Sequence, residues 1–262
     1  MLLLGWSVAW LAGCQPGTDQ PDEQADVVLV TDRGEIAIDL FDETPRHRDN
    51  FLKLARDGFF DGMAFHRVID EFMIQAGDPR TRDQYPPTDT AAPDGPGYTL
   101  APEFGPYSVN VPGRVGMARR EDEKNPKRRS AGSQFYVVAS GPPISNRVLD
   151  SMEQVYTGIE RGKLYRAYQT ARDQGTFEGP FSAYQDAQGF TEWHYPSELR
   201  LAYRQQGGAP WLDFTYTVFG QVLRGLDIVD QINHTATDPY DRPLGAIRIQ
   251  QVKVLADAEG DA

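Results

Sequence analysis

Apolar and polar positions follow a strand rhythm at both ends of the folded part of the chain and a helical rhythm between them. Val27 to Thr31 is β-branched and apolar, Asp32-Arg33-Gly34 is turn chemistry, and Ile36, Ile38 and Leu40 alternate with Glu35 and Asp39. This predicts a β-hairpin with one buried face. Thr44-Pro45 reads as an N-cap with proline at the first helical position, where its missing N–H costs nothing. His47, Phe51, Leu54 and Ala55 follow at helical spacing and Gly58 closes the helix. Short strands are expected at 63 to 69, 72 to 76, 114 to 118 and 134 to 138, and a long surface loop from Pro79 to Pro96.

Between Ala139 and Pro210 the strand rhythm stops. Leu149, Met152, Val155 and Tyr156, then Leu164, Tyr165, Tyr168 and Ala171, recur at helical intervals, which predicts a helical insertion over about 139–210. Strand rhythm resumes at Tyr216 to Leu223, a helix is expected from Leu226 to Asn233, and Ile247 to Leu255 alternates as a closing strand. Short strands split by two helices, without regular strand–helix alternation, predict a mainly β fold. The expected architecture is a closed antiparallel β-barrel capped by two helices, with a doubly wound parallel sheet as the alternative.

The chain has 262 residues, of which 40% are hydrophobic and 11% aromatic, enough for a sizeable core. Its formal charge of -12 disfavours nucleic acid, which needs a clustered cationic surface. One cysteine and four scattered histidines furnish no metal-ligand spacing, so no metal is expected. The cluster Lys124, Lys127, Arg128 and Arg129 lies beside Glu121, Asp122 and Glu123, and reads as a solvated loop before it reads as a steering surface for acidic clients.

The first residues run apolar from Leu2 to Ala12, too short to span a bilayer but suited to an export signal, and end in Leu11-Ala12-Gly13-Cys14. This resembles the lipobox of bacterial lipoproteins, although no Lys or Arg precedes the run. The resemblance implies a signal over 1–14, a lipid on Cys14, and a periplasmic protein held on a membrane, the outer one being expected. Residues 15–25 read as a flexible tether, 26–256 as the folded domain and 257–262 as a frayed acidic tail.

Phe65-His66-Arg67-Val68-Ile69 and Phe72-Met73-Ile74-Gln75-Ala76-Gly77-Asp78 combine one always-protonated arginine with aromatic and amide side chains. Strand alternation would let Arg67 and the Phe72/Gln75 pair converge on one surface. That combination suits rotation about a prolyl peptide bond, whose barrier of ~18–20 kcal/mol is lost amide resonance and calls for no nucleophile, metal or cofactor. These segments are similar to the cyclophilin signature. Gly116-Met117-Ala118, Gly132-Ser133-Gln134-Phe135-Tyr136, Trp211-Leu212-Asp213 and Val218-Phe219-Gly220 continue it in the family's order, over Val27 to Ser133 and Trp211 to Leu255.

The resemblance implies a peptidyl-prolyl cis/trans isomerase acting without a cofactor on proline-containing unfolded or extended polypeptides, as a monomer. It implies that Arg67 is the catalytic donor, acting with Phe72 and Gln75, and that Gln75 and Gln134 hydrogen-bond the substrate backbone. Phe72, Met73, Tyr136, Leu212 and Tyr216 would line the proline pocket with Ala118 and Trp211 nearby, and the main chain of Arg119 would pair with the residue before proline. Three positions depart from the commonest pattern: Tyr136 for phenylalanine, Arg119 for asparagine and Tyr216 for histidine.

Taken singly, these residues have plainer readings: Phe72, Met73 and Leu212 as core, Arg67 as a surface ion-pair partner, and the glutamines as satisfied strand residues. A proline-segment binding module or holdase with little catalysis is the other functional reading, favoured by the insertion, as retention of the arginine and both glutamines favours an enzyme. A hydrolase is disfavoured because no Gly-x-Ser-x-Gly elbow or matched His/Asp pair is visible. Pocket residues flank the insertion, so it is expected at the rim of the site, either as a lid or extra wall or as a decorative subdomain.

Overall fold

The computed structural model describes residues 25–86, 95–105 and 108–255. The export signal, Cys14, most of the tether and the acidic tail lie outside these residues. The hairpin forms where the alternation places it, as β1 (Val27–Thr31) and β2 (Gly34–Leu40), and α1 (Pro45–Arg56) buries His47, Phe51, Leu52, Leu54 and Ala55 on one face. Thr44 occupies the N-cap position but its side chain makes no cap bond. The carboxylate of Glu103 takes that role, accepting from the N–H groups of Arg46 and His47 at 3.2 and 3.1 Å.

The remaining strands are β3 (Arg67–Ile69), β4 (Met73–Ala76), β5 (Thr99–Leu100), β6 (Arg114–Met117), β7 (Ser130–Ala131), β8 (Phe135–Val138), β9 (Val218–Arg224) and β10 (Ile249–Val254). Eight of them form one curled sheet in the order β10-β1-β2-β9-β6-β8-β4-β3, and every pairing is antiparallel, which removes the doubly wound alternative. The sheet is a half-barrel, so the expected closed barrel is corrected. Its edge strands β3 and β10 do not pair; a single bridge at Ala64 and Arg248 stitches the gap, and the edge N–H of Val68 in β3 is taken by the carbonyl of Asp241 at 2.7 Å.

Inside the curl, Phe51, Phe60, Phe135 and Phe219 pack ring against ring at 4.8 to 5.7 Å among Ile36, Ile38, Ile74, Val115 and Val137. Helix α1 packs on β10 and β9, and α5 (Leu226–Asn233) on β2, β4 and β3. The insertion forms three helices, α2 (Asn146–Asp173), α3 (Phe181–Ala187) and α4 (Ser197–Gln206). Of the positions at helical spacing Leu149, Tyr156 and Tyr168 are buried, while Val155 and Tyr165 are exposed. A second core gathers there from Leu149, Tyr156, Tyr195 and Tyr203 against Val109 and Val111 of the chain before β6.

Candidate functional site

Strand alternation makes the site. In β4 and β8, Ile74, Ala76, Phe135 and Val137 point into the main core, while Met73, Tyr136 and Val138 form a separate cluster on the opposite face with Phe72, Leu212 and Tyr216. Cross-strand register then sets one transverse row: Arg67 faces Gln75, Gln75 faces Tyr136, and Tyr136 faces Gly116. A slip of one residue would carry Arg67 into the core. Gly116 is required by close approach, since a Cβ there would lie 2.3 Å from the Tyr136 ring.

Over this row opens a groove of about 1080 Å³. Every side chain expected from the sequence lines it: Arg67, Phe72, Met73, Gln75, Ala118, Arg119, Gln134, Tyr136, Trp211, Leu212 and Tyr216. Phe72 lies 5.7 Å from Trp211 and Tyr136 stands edge-on to Tyr216 at 5.9 Å, so an aromatic hollow is walled from both sides. The Nε2 amide of Gln75 donates to Oε1 of Gln134 at 3.1 Å, which ties β4 to the start of β8. The backbone of Arg119 makes no hydrogen bond among the described residues.

The side chain of Arg119, which the sequence reading set aside, builds part of the wall. Its guanidinium lies 4.3 Å over the Tyr216 ring, its Nε donates to the carbonyl of Thr215 at 2.8 Å, and Nη1 pairs with Asp122 at 2.6 Å. Arg67 keeps half its surface in solvent and pairs through Nε with Asp241 at 3.3 Å, so the ion-pair reading and the groove reading hold together. Asp241, with φ at 62°, and Tyr240 belong to a loop after α5 that also lines the groove. The sequence carries turn chemistry in Asp238-Pro239-Tyr240-Asp241-Arg242, but nothing local says which strand the turn covers. In the cationic cluster Lys124 pairs with Glu121, Arg128 with Asp122, and Arg129 bonds Thr99, and Lys124 and Glu121 also line the groove.

Two buried polar groups escaped the sequence. His47 Nδ1 donates to the Glu103 carboxylate at 2.6 Å and its Nε2 lies 2.9 Å from the Ser130 hydroxyl, a Ser–His–Glu line that has the connectivity of a hydrolytic triad. His47 and Ser130 are fully buried in the fold, burial holds the imidazole below its ordinary pKa, and the line is a cap on α1. Asp213, buried behind the groove, accepts from Asn110, Tyr195 and Tyr203, and burial pushes its carboxyl up to about 7 against the pull of those donors. No residue from 140 to 209 lines the groove among the described residues, so the insertion stands behind a wall of the site and does not cover its mouth.

This chain belongs to the cyclophilin-type peptidyl-prolyl cis-trans isomerase family: the family model for cyclophilin type peptidyl-prolyl cis-trans isomerase/CLD matches residues 27–165 and 203–254. Its activity is the isomerisation of Xaa-Pro peptide bonds. The match reaches further than Ser133 and resumes before Trp211, and between its two parts it leaves 166–202 unmatched. Among curated proteins, one from Staphylococcus saprophyticus provisionally named a peptidyl-prolyl cis-trans isomerase is 28% identical over 92% of this chain and 97% of its own length. One from Staphylococcus aureus with the same provisional name is 28% identical over 87% of this chain and 90% of its own. A solved cyclophilin type isomerase of Cryptosporidium parvum superposes with a TM-score of 0.49 at 18% identity, covering 88% of this chain and 97% of that one.

Proposed function

We propose that this isomerase acts on proline-containing segments of exported proteins, with Arg67 as the donor that stabilises the twisting amide. The observation that carries the reading is the transverse row of Arg67, Gln75 and Tyr136 on the outer face of the sheet, bounding one groove with Phe72, Met73, Leu212, Trp211 and Tyr216. A proline ring seated in the aromatic hollow loses its freedom to move with the rotating bond. As the amide leaves planarity its nitrogen becomes pyramidal and basic, and a guanidinium fixed beside it gains a hydrogen bond that the planar ground state cannot offer. Gln75, Gln134 and the unpaired backbone of Arg119 supply fixed partners for the flanking peptide.

Replacing Arg67 by alanine should lower turnover about 10²–10³-fold, the loss typical of one transition-state donor, with the melting temperature little changed because the side chain is half exposed. A protease-coupled prolyl assay measures it, and wild-type rates in a folded variant would refute the assignment.

The export reading rests on the apolar run before Leu11-Ala12-Gly13-Cys14, with a lipid on Cys14 holding the enzyme at the periplasmic face of a membrane. Cys14→Ala should move the protein from the membrane to the soluble fraction, and mass spectrometry of the mature chain should find acyl mass on that cysteine; an unmodified Cys14 removes the anchor.

A further inference from the structure

The segment from Trp211 to Tyr216 has two faces. Trp211, Leu212 and Tyr216 turn to the groove, while Asp213 and Phe214 turn back into the core of the insertion. Asp213 receives the backbone N–H of Asn110 at 2.7 Å and its Nδ2 at 2.9 Å, the Tyr195 hydroxyl at 2.7 Å and the Tyr203 hydroxyl at 2.7 and 2.8 Å. Asn110 then accepts the hydroxyl of Tyr136, the ring at the floor of the groove, at 2.7 Å. One polar chain thus joins the insertion to both the wall and the floor of the site.

Independent geometry marks the same junction. Phe214 has φ at 56°, a conformation rarely adopted by a bulky side chain, and is held there by rings of the insertion, Tyr156 at 4.4 Å and Trp193 at 5.0 Å. The hydroxyl of Tyr156 donates to the carbonyl of Pro210 at 2.6 Å, fixing the start of the segment. Gly208, with φ at +114°, admits Asn110 so closely that a Cβ there would lie 2.6 Å from its carbonyl.

We infer that the insertion is a positioning device for the proline pocket: Tyr195 and Tyr203 hold Asp213, and through Asp213 and Asn110 they fix Leu212, Trp211, Tyr216 and Tyr136 at the spacing a proline ring requires. Tyr195 lies in the stretch that the family model leaves unmatched, so this support belongs to the insertion itself. The donors to Asp213 leave no slack, because a buried carboxylate stripped of a partner is costly and the chain settles where all of them are met. Arg67 sits on β3, outside the network, so the device acts on where the ring binds and leaves the donor to the amide untouched.

The test is isomerase kinetics on a short Xaa-Pro peptide with the full chain, for Tyr195→Phe, Tyr203→Phe and the double variant, beside wild type and Arg67→Ala. Each exchange keeps the ring and removes one hydroxyl. The double variant should raise KM about 10-fold and leave kcat within about twofold, while circular dichroism shows it folded at the assay temperature. A merely structural role lowers the melting temperature and leaves KM of the folded enzyme where it was, so a KM within about twofold of wild type overturns the inference. If the double variant does not fold, the single variants decide on the same criterion, with a rise of about threefold expected. The inference rests on the proline-pocket reading, and the arms separate the two: full turnover by Arg67→Ala refutes that reading, whereas an inactive Arg67→Ala beside an unchanged KM in the tyrosine variants refutes the positioning role alone.

Discussion

The two cores of this molecule are built from different materials. Under the curled sheet, five buried phenylalanines and branched aliphatics pack with His47 as a buried polar inclusion. Under the insertion, Tyr156, Tyr195 and Tyr203 surround a carboxylate, and every hydroxyl has an assigned acceptor. Apolar packing is stabilising but forgiving, since many small shifts fill the same volume. A satisfied polar network is unforgiving, because a displaced ring strands a buried donor. The first core therefore sets stability and the second sets the position of the wall it touches.

The sharpest way to break that comparison is to open the apolar core. Phe51 meets Phe60, Phe135 and Phe219, and Phe51→Ala should cost about 3–5 kcal/mol in chemical denaturation, enough to threaten folding. A cost under about 1 kcal/mol would mean that this ring cluster is not the stabilising centre of the sheet.

A pH series probes the polar core. With the folded carboxyl of Asp213 pushed up to about 7 from 3.8, the native state keeps a proton between those values that the unfolded chain has released. The group's contribution is complete below about pH 4 and is lost as pH rises to about 7, a span worth about 3–4 kcal/mol. Desolvation of His66, which holds its imidazole down to about 4, runs the opposite way, because there the unfolded chain carries the extra proton up to about 6.5. The two slopes offset each other in the wild type. The readout is therefore the difference between wild type and Asp213→Asn, which should shift against the wild type by about 3 kcal/mol between pH 4.5 and pH 7.5; parallel curves would show that the carboxyl is not raised.

Within the insertion, the near and far ends should separate. Tyr168 packs with Phe177, Phe181 and Tyr184 and donates to Gly179, all remote from Asp213. Tyr168→Ala should cost about 2 kcal/mol of local stability, seen as faster amide exchange in α2 and α3, with KM unchanged. A raised KM would extend the positioning role to the whole insertion.

These contrasts also explain what the sequence made legible. Alternation over 73–76 and 135–138 is a local property, and it puts Gln75 and Tyr136 opposite the core-facing Ile74, Ala76, Phe135 and Val137; Phe72, three residues from Gln75, reaches the groove from the turn before β4, which alternation alone does not give. Part of the architecture was equally local: both hairpin strands, α1 and α5 lie where their patterns fall. Barrel closure was not local, because it depends on whether β3 meets β10 or a loop from 174 residues away takes its edge. Asp213 was visible only as the third letter of Trp-Leu-Asp, since its partners come from 18, 10 and 103 positions distant. The side chain of Arg119 was set aside because the resemblance gives the main chain the role at that position, and its cation–π partner, Tyr216, lies on a distant segment.

The smallest effect is expected at Asp241, which neither core reaches. Its ion pair with Arg67 is half exposed, so stability should change by less than about 1 kcal/mol in Asp241→Asn, and asparagine tolerates the residue's positive φ. Turnover is a finer gauge. The pair engages Arg67 through Nε, and losing the carboxylate frees the guanidinium to sample other rotamers, so kcat should fall about threefold. Salt distinguishes this from a packing effect: screening weakens an exposed pair, and the wild type should approach the variant as ionic strength rises. If the two enzymes instead keep a constant ratio from low to high salt, the donor is held by the register of β3 against Gln75 and the loop is only its cover.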